Sequence, residues 1–166
     1  MKRSASRRTA ALVIDVRIES PLWQAQPLAE QTVRAAIAAA AQFASVDGEV
    51  SILLADDAAI RVLNRDWRGI DKPTNVLSFP TSMTAGGTTR LLGDIAIAYE
   101  TLARECDEEA RIFLHHLAHL AVHGFLHLIG YDHQTDPQAD AMEGLESQIM
   151  LHLNMPDPYL AHDRRR

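Results

Sequence analysis

Apolar and polar side chains alternate along residues 11–19, and a period of two predicts a strand. Pro27 opens an alanine-rich run that predicts a helix over 28–43. Its apolar positions Leu28, Val33, Ile37 and Ala40, with Ala44 just beyond, suit core packing. Asp47-Gly48 marks a turn, and 49–55 alternates again, with Val50, Ile52 and Leu54 on one face of a second strand. Asp56 is placed to cap a helix running through Trp67, with Ile60, Leu63 and Trp67 on a shared stripe. A polar, turn-rich stretch ends in a short strand over 76–79. The Ser82–Arg90 loop is rich in glycine and threonine but lacks the GxxxxGK spacing of a phosphate-binding loop. The pattern then predicts a strand over 91–98, helices over 99–104 and 108–129, a stop at Gly130, and a last helix over 138–153 after Asp136-Pro137. Pro156 and Pro158 are expected to end ordered structure. No repeat or linker divides the chain, and its 166 residues suit one domain with a proper core.

Composition narrows the class without naming a function. Hydrophobic residues make up 47% and charged residues 23%, as in ordinary globular proteins. No apolar run is long enough to span a bilayer, and the basic N-terminus leads into a strand rather than a signal-peptide core. The single cysteine, Cys106, excludes an internal disulfide and fits a reducing, cytoplasmic setting. The net charge of −6 is unevenly spread. Residues 1–9 carry Lys2, Arg3, Arg7 and Arg8, residues 161–166 carry Arg164, Arg165 and Arg166, and both ends read as solvated tails. The body between them is more acidic still. Such a body binds nucleic acid poorly without a local basic patch, a metal or the tails, because phosphate neutralisation supplies most of that affinity.

The densest chemistry is His123-Gly-Phe-Leu-His127-Leu-Ile-Gly130-Tyr-Asp132-His133. Residues four apart on a helix share a face, so His123 and His127 can reach one metal ion. Gly130 lets the chain turn and bring His133 back toward it. Three nitrogen ligands with no fourth protein ligand in view describe a catalytic zinc site, which keeps a position open for water. H-E-x-x-H peptidases place a glutamate directly after the first ligand as general base, and here that position is Gly124. The ligand spacing survives and the carboxylate does not, which disfavours peptidase chemistry.

The other histidines need no metal. His152 and His162 lie in the terminal region. His115 and His116 are neighbours, so at most one faces the site. His119, one turn before His123, fits a ligand, a group behind the ligands or an RNA contact. The loop from Arg68 to Pro80 is packed with hydrogen-bonding side chains, as site loops often are. Thr74 and Asn75 serve equally well to tie down its backbone. Asp94, polar at the head of an apolar strand, either orients a ligand histidine or caps a bend.

His123 to His133 resembles the signature of the bacterial endoribonuclease YbeY family. The resemblance extends to Arg68-Gly-Ile-Asp-Lys-Pro-Thr-Asn-Val-Leu-Ser-Phe-Pro80, to Leu91-Leu-Gly-Asp94-Ile, to Met142-Glu143-Gly-Leu-Glu146 and to Asp157-Pro-Tyr159, in the family's order. It covers residues 10–160. It implies an α+β domain, a small mixed sheet with surrounding helices and a metal-bearing helix akin to that of zincin-type hydrolases. It further implies one zinc ion on His123, His127 and His133, with Arg68 on the family's functional arginine. The implied activity is zinc-dependent cleavage of single-stranded RNA in small-subunit rRNA 3′-end maturation and ribosome quality control. Ribosomal small subunit and assembly factors are the implied partners, with no DNA and no membrane.

On this reading His123 is catalytic through the metal, and Arg68 matches the negative charge of the transition state. Asp94, His119 and Asp132 are candidates for proton transfer or for orienting a ligand. The nucleophile is either a metal-activated water or the substrate's 2′-hydroxyl. Two alternatives compete: a metal-dependent hydrolase of another class, and a non-enzymatic ribosome-assembly factor whose metal is structural.

Overall fold

The computed structural model describes residues 12–81 and 90–160. The two basic tails and residues 82–89 of the expected loop lie outside the described residues. Strand β1 (Leu12–Ile18) leads through a 3-10 turn (Pro21–Ala25) into helix α1 (Ala29–Ala44) and strand β2 (Gly48–Ala55). Helix α2 (Asp57–Arg68) precedes strands β3 (Val76–Pro80) and β4 (Leu91–Ala98). Helices α3 (Tyr99–Glu109), α4 (Phe113–Leu128) and α5 (Asp136–His152) complete the chain.

The strands form one mixed sheet in the order β1-β2-β4-β3. β1, β2 and β4 run parallel, and β3 pairs antiparallel with β4, Ser78 opposite Ile95. The alternation that predicts β2 is also what buries it, with Val50, Ile52 and Leu54 turned into the main core. That core lies between one sheet face and α1, α4 and α5. The opposite face carries α2 over a smaller cluster of Ile60, Leu77, Ala96 and Ala98. At the open edge of the sheet, the Arg34 guanidinium on α1 donates to the Ile14 carbonyl of β1 at 2.7 Å and pairs with Glu30 at 3.1 Å.

Helix α4 is the central element. Apart from its histidine stripe the helix is apolar and must be buried, and Leu117, Ala118, Ala121, Val122, Phe125 and Leu126 are fully so. Burying each large side chain among them contributes about 2 kcal/mol. Gly124 sets how closely α4 meets the sheet. A Cβ there would sit 3.1 Å from Ile95 Cγ2, 3.1 Å from Ser78 Oγ and 3.2 Å from Val76 Cγ2. Gly130 ends the helix as expected, at φ 105°, and the Tyr131 amide donates back to the Leu126 carbonyl at 3.0 Å.

Several boundaries differ from the sequence expectation. The turn at Pro21–Ala25 has no periodic signal, and Ser20 caps it with its side chain. Helix α3 runs on to Glu109, and the chain breaks at Ala110, left-handed at φ 51°, before α4 starts at Phe113. An alanine at that position announces nothing, which is why the break falls inside the expected 108–129 helix. Trp67 leaves the buried stripe of α2. It is 73% exposed and leans on Phe79, ring centroids 6.1 Å apart. Order also continues past Pro156 and Pro158. Asp157 accepts from the Ser147 hydroxyl and from the Tyr159 amide, at 2.8 and 2.9 Å.

Candidate metal centre

A cleft of about 880 Å³ opens along the exposed side of α4, between the loop before β3 and the chain beyond α5. The two turns of α4 that carry His123 and His127 line it, and the loop after Gly130 brings in His133. One ring nitrogen from each of these three histidines lies within 4.8 Å of the others. The Nε2 atoms of His123 and His127 are 3.1 Å apart. Zinc–nitrogen bonds of about 2.0–2.1 Å at tetrahedral angles need ligands about 3.3 Å apart, so the His123–His127 pair fits such an ion, and His133 lies close beside it. Among the described residues no fourth histidine, cysteine or carboxylate joins the group. Burial, reinforced by the neighbouring rings of His123 and His133, lowers the His127 pKa. That favours the neutral imidazole a metal requires.

Behind the cluster lies a carboxylate that no local sequence pattern pointed to. Glu146 of α5 is 0% exposed. Its Oε1 is 2.5 Å from His123 Nδ1, its Oε2 is 3.0 Å from His119 Nε2, and the Tyr159 hydroxyl donates to the same Oε2. Burial alone would raise the Glu146 pKa, but the hydrogen bonds of His119 and His123 outweigh it and hold the carboxyl at about 2. Burial and the bond to Glu146 push the Tyr159 hydroxyl well above the ordinary phenol range. His119 is thus a partner of Glu146 and stands outside the ligand group. In the sequence Glu146 belongs to the C-terminal block of the family resemblance, and no spacing ties it to His123.

Arg68 lines the same cleft from the end of α2. Its Nη2 donates to the Ser78 carbonyl at 3.3 Å, and the Ser78 hydroxyl donates to the Gly124 carbonyl on α4 at 2.8 Å. Strand β3 therefore ties the arginine to the histidine helix. Asp132 also lines the cleft, and its Oδ1 accepts the His133 amide at 2.8 Å, which fixes the turn that delivers the third histidine. Asp94 does not reach the site. Its neighbour Ile95 faces Gly124 of α4, so strand alternation turns Asp94 to the other side of the sheet. There it is exposed in a separate groove with Asp15 and Ser51.

Of the paired histidines, His116 faces the cleft and His115 does not. His116 Nε2 lies 3.1 Å from Glu105, which also takes both contacts of the Asn75 amide, at 3.0 and 3.2 Å. Asn75 Oδ1 accepts the Val76 amide at 2.7 Å, so Asn75 ties down its loop as well as lining the cleft.

Fold and site together define an α+β protein with a three-histidine group that could hold a metal ion at the end of a buried helix, facing an arginine across an open cleft. Residues 17–154 match the family model described as Endoribonuclease YbeY. A protein named endoribonuclease YbeY from Bradyrhizobium sp. is 54% identical over 158 residues, covering 90% of this chain and 94% of that one. Those of that name from Nitrobacter winogradskyi and Rhodopseudomonas palustris are 52% and 53% identical. They cover 95% and 90% of this chain and 87% and 91% of their own length. The chain belongs to the YbeY endoribonuclease family. The solution structure of TM1509 from Thermotoga maritima shares the fold, with a TM-score of 0.51 at 21% identity over 86% of this chain and 92% of that one.

Proposed function

We propose that this protein is a zinc-dependent endoribonuclease that hydrolyses single-stranded RNA, acting in small-subunit rRNA 3′-end maturation and ribosome quality control in the cytoplasm. Family membership supports the endoribonuclease activity and the role in rRNA processing. The observation that carries the metal reading is the convergence of three imidazole nitrogens within 4.8 Å, in the same cleft as Arg68.

His123, His127 and His133 would hold one zinc ion, which when bound supplies Lewis acidity toward a phosphoryl oxygen and lowers the pKa of water. The remaining steps belong to the chain. Arg68, which among the described residues uses one donor of its planar fork on Ser78, offers that fork to the nonbridging oxygens of the scissile phosphate. Asp132 holds the His133 turn in place through its backbone. An unpaired strand is the substrate that bends its phosphates into such a cleft.

The acidic body and 5% aromatic content argue against strong readout of RNA by this protein alone. Specificity then comes from rRNA presented by the small subunit and its assembly factors. No described helix is long and apolar enough to cross a membrane.

The test pairs metal analysis with cleavage of a single-stranded RNA by wild type, His127→Ala and Arg68→Glu. Loss of metal and of cleavage in His127→Ala, with loss of cleavage alone in Arg68→Glu, is the expected result. Wild-type cleavage should be weak and fall steeply with salt. Variants that cut as well as wild type would assign the cleavage to a contaminant.

A further inference from the structure

A carboxylate sealed from solvent needs a reason, because burial of an unpaired charge costs several kcal/mol. Both oxygens of Glu146 are committed, Oε1 to His123 and Oε2 to His119 and Tyr159. It is therefore placed neither to bind a metal nor to take a proton from substrate. A neutral imidazole carries one N–H. When His123 Nδ1–H donates to Glu146, the lone pair stays on Nε2, the atom that faces His127.

From this geometry we infer that Glu146 is a positioning residue for the metal centre: it fixes the tautomer and ring orientation of His123, and Tyr159 holds Glu146 in place for that task. The inference rests on the metal reading above. The chain beyond α5 takes part as well. Asp157, bonded to Ser147 and to the Tyr159 amide, pins that chain beside Glu146, and the Pro158 carbonyl accepts from Arg111 of the α3–α4 connection at 3.4 Å. A segment remote from the ligands in sequence thereby reaches His123 through two hydrogen bonds. Partners of this kind behind a ligand histidine typically change metal affinity 10–100-fold when removed.

The experiment measures zinc dissociation constants by chelator competition, and cobalt(II) absorption spectra, for wild type, Glu146→Gln, Glu146→Ala and Tyr159→Phe. Melting of each metal-stripped protein is followed alongside. Glu146→Ala should weaken zinc by about 10–100-fold and Glu146→Gln by about 10-fold, with an altered cobalt spectrum in both. Tyr159→Phe should weaken it less than either. Should Glu146→Ala fail to fold, the isosteric Gln and Phe variants decide the matter. Wild-type zinc affinity and an unchanged cobalt spectrum in folded Glu146→Gln and Tyr159→Phe would overturn the positioning role and leave Glu146 a structural buried acid. Wild type that binds no zinc at all would instead overturn the metal reading itself.

Discussion

The Ser78 hydroxyl meets the Gly124 carbonyl at 2.8 Å, out of reach of solvent, where the edge strand touches the histidine helix. Ser78→Ala removes one buried bond and should cost about 1 kcal/mol, read as a lower urea midpoint at constant m-value. Gly124→Ala adds a methyl at 3.1–3.2 Å from three side chains. Overpacking of about 1–3 kcal/mol offsets the gain of about 1 kcal/mol in helix propensity, for a net loss of about 1 kcal/mol. A midpoint above wild type would mean that β3 yields freely and that glycine is not what sets the spacing.

Position 124 also separates this helix from that of the peptidases. It faces Ile95, Val76 and Ser78 of the sheet, and a glutamate there would be crowded against the strands. Gly124→Glu should destabilise the fold by about 3 kcal/mol or more and confer no peptidase activity. Hydrolysis of a casein substrate by a folded variant would contradict this.

Arg68 is exposed at the end of α2, so its loss should leave stability within about 0.5 kcal/mol of wild type. Arg68→Ala should lower kcat/KM for RNA by about 10²–10³, the scale for removing a donor to developing negative charge. Arg68→Lys should recover only part of this, since an ammonium lacks the planar fork. Full activity in Arg68→Ala would remove the arginine from the reaction.

Metal should stabilise the folded chain by mass action. Zinc free at a thousand times its Kd contributes about 4 kcal/mol, roughly 10 °C in Tm for a chain of this length. A chelator should reverse the shift, and His127→Ala should show none of it. An equal zinc-dependent shift in His127→Ala would place the ion elsewhere.

Glu105 supplies a pH signature away from His123, His127 and His133. Burial would raise its pKa, and the contacts of His116 and Asn75 outweigh burial and lower it. A depressed carboxyl means that the unfolded chain takes up the proton first as pH falls. Its stabilisation is in place above the ordinary glutamate pKa of about 4.3 and is lost as pH drops through the depressed value. Glu105→Gln should therefore trail wild type by about 1 kcal/mol at pH 6, and the gap should close as the pH falls through the depressed value. A gap that stays constant with pH would assign the loss to shape rather than charge.

What could be read in the chain follows the range of the forces involved. Alternation and caps are local, so Val50, Ile52 and Leu54 fall on their predicted face, and Asp56 caps α2 through the Ala59 amide at 2.9 Å. The histidine spacing is local too: one helical turn and the stop at Gly130 are enough to gather the three imidazoles. Glu146 is invisible to such reasoning, because only the docking of α5 on α4 brings it beneath His123. Asp94 misleads because its polarity is legible and its face is not: facing depends on which side of the sheet α4 covers. Trp67 misleads for a related reason, since its stripe leaves the sheet before the helix ends.

The bond from Arg34 to the Ile14 carbonyl is small in energy and large in consequence. A bare strand edge is a template on which a second molecule can continue the sheet. By occupying one acceptor on that edge with a charged side chain, helix α1 is expected to hinder edge-to-edge pairing of two copies. In a concentrated solution, Arg34→Ala should first be noticed by light scattering, well before any change in RNA chemistry.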